Sequence, residues 1–353
     1  MIRLLICIFI GGGCLAACAF RQQKENILYL EADGQDAGRM SMGELVSEVK
    51  VYTFDTARDF RFGRIEKLAF TDSFCFIWDG RYTKTLYCFG REGKGEYKYQ
   101  CIGRGPFEYR DIYDFVVDER RQEILLATLE KIIVLDFQFW PLREIKTPGR
   151  GYDRMAWQGD SLLLYAHYQG RLDWYDCLRD TLLPLREIPV LKNYIFEPSV
   201  PMFYPVSGVL YFLPPGSCCI YKVEGKKTAL VKELDYAYKA SAIRLYTNKR
   251  PDEIAGWEAI ENPMLSVMHM GTYSGLPMMI YVCPVMWVYL EKGQKNLVLT
   301  DLSGTILFQQ GNRLFAEASV VTPRLEEVYG DRMTYMSTIR SDNPVVIEYV
   351  LKE

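Results

Sequence analysis

The sequence predicts an all-β protein built as a propeller of four-stranded blades, and three observations carry that expectation. From about Leu45 onward, short apolar runs alternate with turn residues, the signature of strands in close succession. The runs group in fours over about 40–50 residues, the period of a propeller blade. Residues 45–353 leave room for about six or seven such units. A sandwich would give similar strand signals, and length tips the reading toward a propeller. An aromatic content of 14%, with 25 Tyr and 18 Phe, also suits strands.

In chain order, the first residues have the three parts of a secretory signal. Arg3 supplies the charge, Leu4 to Ile10 the apolar run, and Gly11 to Gly13 break it. Leu15-Ala16-Ala17-Cys18 then resembles the lipobox of bacterial lipoproteins, whereas Cys14 is preceded by glycines. A bilayer-spanning helix needs about 20 apolar residues, and this stretch is shorter. Residues 1–17 are therefore expected to be a signal peptide and Cys18 the lipid-bearing residue. Residues 18–41 are polar and rich in small residues, as suits a tether, with a short strand at Ile27 to Leu30 also compatible. Residues 42–353 are expected to form the propeller.

Within that domain, Val49 to Phe54 alternates cleanly. Phe74 to Trp78, Thr85 to Phe89 and Tyr97 to Ile102 follow, with Asp79-Gly80 and Glu92-Gly93 as turns. A second unit runs Phe115–Val117, Glu123–Ala127, Lys131–Phe137 and Leu142–Lys146, and a third Arg154–Trp157, Ser161–His167, Arg171–Tyr175 and Leu183–Ile188. A fourth includes Val209–Leu213, Cys218–Val223 and Ala229–Leu234. Residues 236–262 break the pattern. Pro251-Asp252-Glu253 reads as a helix start, and Ile254, Trp257 and Ile260 recur at helical spacing, so a short helical insertion is expected. Strands resume at Met278–Cys283, Trp287–Leu290, Asn296–Thr300 and Thr305–Gln309, and end with Val345–Val350.

Composition narrows the chemistry. The net charge of −3 and the lack of a basic run leave nucleic-acid binding without an electrostatic footprint. Beyond Cys18 the mature chain keeps Cys75, Cys88, Cys101, Cys177, Cys218, Cys219 and Cys283, an odd number, so at least one thiol stays unpaired. Most read as small buried hydrophobes. If Gly80 to Thr83 forms a symmetric hairpin turn, Cys75 and Cys88 lie directly opposite, within disulfide range. Only His167 and His269 are present and they are far apart, so no zinc pattern arises. Calcium held by carbonyls and scattered Asp stays open, but no cofactor is expected. Gly90 to Gly95 is Gly-rich without being a phosphate loop. Asp173-Trp174-Tyr175-Asp176 is the most suggestive carboxylate–aromatic cluster for glycan chemistry, and its alternation equally fits a strand end.

Three stretches resemble a known family. Cys101-Ile102-Gly103-Arg104-Gly105-Pro106-Phe107-Glu108-Tyr109, followed by Ile112 to Asp118, is similar to the hallmark motif of six-bladed β-propeller lipoproteins of gut-type Gram-negative bacteria, which look NHL-like. Met42 to Val49 and Ser341 to Ile347 look like that family's opening and closing strands. The resemblance implies six blades and an outer-membrane, cell-envelope location. No reaction comes with it. Phe107 stands where the family usually has Gly, which puts a positive-φ position in question. Gly103, Gly105 and Pro106 have the backbone character of a blade-to-blade crossing, and Arg104, Glu108 and Tyr109 are either structural or ligand-facing. The expected function is a non-catalytic binding or scaffold module, attached to the membrane by lipid, for a glycan, peptide or protein. Trp78, Tyr109, Trp157 and Trp174 are candidate linings of a channel-mouth site. The alternative is a propeller enzyme, a glycan lyase or hydrolase or a metal-dependent lactonase. Ala19-Phe20-Arg21-Gln22 lacks an acidic run, so which side of the outer membrane the domain faces is left open.

Overall fold

The computed structural model describes residues 27–30, 37–57, 59–147, 151–188, 200–214, 217–236, 266–282, 286–291, 293–339 and 341–352. The chain enters through β1 (Ile27–Leu30), β2 (Arg39–Ser41), the single-turn α1 (Met42–Leu45) and β3 (Val46–Tyr52). Ser41 caps α1 with a reciprocal box: its hydroxyl accepts from Gly43 N–H while its own N–H donates to Glu44.

Five consecutive meanders follow. Blade one is β4 (Lys67–Phe70), β5 (Phe74–Asp79), β6 (Thr85–Gly90) and β7 (Gly95–Tyr99); blade two is β8 (Ile112–Asp118), β9 (Glu123–Thr128), β10 (Lys131–Asp136) and β11 (Pro141–Lys146). Blade three is β12 (Arg154–Gln158), β13 (Ser161–Ala166), β14 (Arg171–Asp176) and β15 (Thr181–Glu187); blade four is β16 (Phe203–Val206), β17 (Val209–Phe212), β18 (Cys219–Glu224) and β19 (Lys227–Tyr236). Blade five is β20 (Ser266–Tyr273), β21 (Leu276–Val282), β22 (Met286–Leu290) and β23 (Lys295–Thr300).

Blade six closes the ring from both parts of the chain. Its inner strands are β24 (Thr305–Gln310), β25 (Arg313–Ala318) and β27 (Val345–Leu351), and β3 lies antiparallel on β27, with Tyr52 opposite Val346. Between β25 and β27 run α2 (Pro323–Tyr329), capped by Thr322, and β26 (Met333–Tyr335), which adds to β3 in parallel. Buried polar groups fasten the closure. Tyr52 donates to the fully buried Glu348 at 2.5 Å, and Arg91 from blade one donates to the Tyr52 hydroxyl at 3.2 Å. The Asn343 amide donates to Asp55 O and Phe60 O and accepts from Phe62 N–H, tying the closing strand to the loop before blade one.

The architecture is therefore the all-β, six-bladed propeller that the sequence predicts. Each blade packs between two others, so its middle strands are buried on both faces. This is why β5, β9 and β13 read as unbroken apolar runs. The core is accordingly divided into six clusters, one at each blade interface. Several strands end in an aspartate that accepts the amides of the turn after it: Asp79, Asp118, Asp136 and Asp176.

Three expectations need correction or placement. Within the expected tether of residues 18–41, the strand offered at Ile27–Leu30 forms as β1 and pairs in parallel with β19, and β2 pairs with β23, so sheet structure begins by Ile27. These strands cover the open outer edges of blades four and five. The outer strands of blades two and three instead carry Pro141 and Pro184, which discourage pairing. Cys75 and Cys88 are not opposite each other. Asp79 pairs with Thr85, so the connection is one residue longer than a symmetric Gly80–Thr83 turn, and Lys84 takes a positive φ of 50°. Cys75 then pairs with Phe89 and Phe76 with Cys88. A one-residue slip reverses the face, and both thiols are free, one in the blade six–one core and the other in the blade one–two core. Residues 1–17, Cys18, Cys283 and the expected helix at Pro251–Ile260 lie outside the described residues.

Candidate functional site: the central channel

The first strand of each blade, β4, β8, β12, β16, β20 or β24, runs along the central axis. All six start from the same face, because each follows a crossing from the outer strand of the preceding blade. We call this the crossing face and the other the turn face. A cavity of about 400 Å³ runs along the axis, lined by β4, β8, β12, β16 and β24 and the residues beside them.

At the crossing-face end the lining is charged. The Lys67 ammonium of β4 forms an ion pair with Asp114 of β8, whose other oxygen accepts from Met155 N–H of β12 at 2.6 Å. One carboxylate therefore joins the inner strands of three blades. Asp114 is shut off from solvent, whereas 26% of the Lys67 side chain remains open, toward the cavity it lines. Burial holds the Lys67 ammonium below the usual lysine range, and Asp114 opposes that shift. Arg154 of β12 donates to Tyr113 O at 3.1 Å and Asp153 O at 2.6 Å, and Glu66 completes the charged rim. Farther down, Phe70, Trp157 and Phe308 make the wall apolar. The arrangement offers backbone and side-chain donors, a partly open lysine side chain and an indole inside a slot, which suits holding a small polar ligand.

Among the four aromatic side chains singled out from sequence, Trp157 lines this channel, its indole N–H shielded and without a partner among the described residues. Trp78 and Tyr109 do not. They stack edge to face at 5.9 Å in the core between blades one and two. Trp174 is buried between blades three and four. Alternation is the reason: Trp174 points to one side of its sheet while Tyr175 points to the other, into the blade two–three core. The same alternation disperses the Asp173–Asp176 cluster. Asp173 accepts from Tyr152 and Arg171, Tyr175 donates to Asp180, and Asp176 caps its turn.

The glycine motif forms the crossing from β7 to β8. Gly103 N–H donates to Tyr109 O and Tyr109 N–H to Cys101 O, while Glu108 folds back to accept from Gly105 N–H at 2.7 Å. A Cβ on Gly103 would lie 1.9 Å from that carboxylate, so a side chain there would displace Glu108 from Gly105 N–H. The positive φ is kept rather than lost: Phe107 adopts 56°. Lys131 of blade two donates to Gly105 O at 2.8 Å. Pro106 is exposed beside it. Glu108 and Tyr109 thus hold the crossing, and Arg104 is exposed without an ion pair among the described residues. The two histidines stay apart. His167 sits in blade three and His269 between blades five and six, and among the described residues no three His, Cys, Asp or Glu side chains form a metal-binding group.

Sequence reasoning missed Glu66, Lys67, Asp114 and Arg154. The signal available was a charged residue inside an apolar strand, as in Ile112-Tyr113-Asp114-Phe115-Val116.

Comparison with known proteins agrees with this architecture. A Bacteroides fragilis protein described as exported superposes with a TM-score of 0.66 at 14% identity, covering 93% of this chain and all of that one. A duf4221-family protein from Bacteroides vulgatus gives 0.49 at 9% identity over 87% and 97% of the two chains. The extracellular domain of a one-component system protein from B. thetaiotaomicron gives 0.43 at 10% identity over 76% and 30%. No curated relative matches the sequence. Among the described residues no helix is long and apolar enough to cross a membrane. A family model for the 6-bladed beta-propeller matches residues 21–257, two thirds of the sequence, and the chain therefore belongs to that family.

Proposed function

We propose that this protein is an outer-membrane lipoprotein, attached through Cys18, whose propeller binds a small polar ligand at the crossing-face mouth of its channel. The observation that carries the binding part is the axial cavity of about 400 Å³, with Lys67 open to it and Trp157 in its wall. Exposed tyrosines on the same face, Tyr82, Tyr113 and Tyr168, add surface of the kind that stacks on sugars or peptide groups. The signal-like segment ending in Leu15-Ala16-Ala17-Cys18 supports the anchor, and the exported Bacteroides relative is in keeping with export. An enzymatic reading needs convergent acid, base or metal-ligating groups. The best-placed carboxylate, Asp114, is instead committed to Lys67 and Met155 N–H.

Two measurements test the proposal. Oligosaccharide and peptide arrays are incubated with the purified protein and with Trp157→Ala. A ligand held by the wild type and weakened at least about tenfold, or about 1.4 kcal/mol, by Trp157→Ala supports the channel site. Binding that neither Trp157→Ala nor Lys67→Met alters, or none from either array, overturns it. Separately, Cys18→Ser is expected to move the protein from the membrane to the soluble fraction, and continued attachment refutes the anchor.

A further inference from the structure

The strand directions place the start of β1 at one end of the propeller. β1 runs parallel to β19, and β19 climbs from the turn face to the crossing face. The N-terminal end of β1 therefore points to the turn face, on the outer rim of blade four. Cys18 precedes Ile27 by nine residues, a reach of about 30 Å when fully extended. The tether therefore leaves the propeller from the turn face, with its lipid within about 30 Å of that edge.

That same face carries side chains suited to the position. Trp140, at the end of the β10–β11 turn, is 69% exposed, and Leu178, in the β14–β15 turn, is 74% exposed. Neither is a floppy tip. Asp136 accepts from the amides of Gln138 and Trp140, and Asp176 from those of Leu178 and Arg179. Phe139 beneath Trp140 is buried in the blade one–two core. In the next blade, the β18–β19 turn presents Lys226 and, at its edge, Lys227, both exposed and without an ion pair among the described residues. Blades two, three and four thus align an indole, an isobutyl group and two ammonium groups on the side where the tether enters. Tryptophan favours the interfacial layer of a bilayer, an apolar tip inserts below it, and lysines attract anionic headgroups. Large exposed apolar residues on a rigid surface usually mark an interaction site.

We propose that the turn face is a lipid-docking surface, with Trp140 and Leu178 entering an anionic leaflet and the channel mouth on the crossing face directed away from it. The inference rests on the lipid-anchor reading for its tether, but its test is separable. The full lipoprotein and its Trp140→Phe variant are mixed with phosphatidylethanolamine–phosphatidylglycerol vesicles carrying brominated acyl chains, which quench only indoles at the bilayer. The chain has six tryptophans, so docking is expected to quench roughly one sixth of the emission in the wild type and to lose that part in Trp140→Phe. Flotation of the same samples reports the anchor independently. Equal quenching in both proteins, or none, overturns the docking surface whether or not the protein floats. Quenching that depends on Trp140 supports it in either case. If Trp140→Phe instead alters only the sedimentation of the detergent-solubilised protein, the patch is a contact between copies and the proposal fails.

Discussion

Acidification is expected to weaken the junction of blades five and six through one residue, His269. Its side chain has no solvent exposure, and among the described residues no hydrogen bond of normal geometry reaches either ring nitrogen. The ring packs over Gly271, where a Cβ would stand 2.4 Å from Nε2. The neighbouring Gln309 amide is committed elsewhere: it accepts from Met270 N–H at 3.0 Å and donates to Met270 O and Pro205 O. Burial, only partly opposed by that amide, pushes the imidazole down to about 4 from its ordinary 6.5. Between those two values the unfolded chain holds a proton that the native chain refuses. Stability is therefore full above pH 6.5 and falls as pH drops toward 4, by about 1.36 kcal/mol per unit. The loss reaches about 2 kcal/mol at pH 5 and about 3 kcal/mol at pH 4. The assay is urea unfolding at pH 7.5 and 5.0 for the wild type and His269→Leu. Carboxylates titrate alike in both proteins, so the difference in their pH dependence isolates the histidine. His269→Leu should lose about 2 kcal/mol less than the wild type between the two pH values. Equal losses would refute the reasoning.

Other outcomes follow from the closure and the crossings. Tyr52→Phe removes the hydrogen bond to a fully buried Glu348 and should cost about 2 kcal/mol in urea unfolding; the double variant Tyr52→Phe/Glu348→Leu should recover part of that, and a silent single variant would show that the pair does not fasten the ring. Gly103→Ala displaces the Glu108 carboxylate from Gly105 N–H and should lower the melting temperature by no more than Glu108→Ala does, with little further loss in the double variant; additive losses would show that Glu108 is not what the methyl meets. Cys75 and Cys88, on opposite faces of blade one, should both alkylate on denaturation without reductant, and a peptide linking them by mass spectrometry would contradict the register.

Much of the scaffold was legible because its signals are local. A strand buried on both faces reads as an apolar run, and a terminal aspartate announces the turn after it, so blade period and strand order could be read residue by residue. The signals of helix α2, Thr322-Pro323 followed by Glu326 and Glu327, are local too, though they stand inside a long connection between strands. The Cys75–Cys88 pairing failed on a single residue, Lys84, whose left-handed backbone lengthens the turn and reverses the face of every later side chain in β6. Nothing in the letters around Gly80 compels that choice.

The amino-acid sequence by itself determined the all-β propeller class and the four-stranded kind of its repeating unit, and left the blade number at six or seven. Only the tertiary structure decided where the functional groups meet. Lys67, Asp114 and Arg154 each stand about one blade apart along the chain and become neighbours because three inner strands converge on one axis. Likewise, β1 finds its partner β19 about two hundred residues away and covers the outer edge of blade four. Hydrophobic periodicity is a property of neighbouring residues, whereas a channel lining and a sheet edge exist only once distant segments have been folded together.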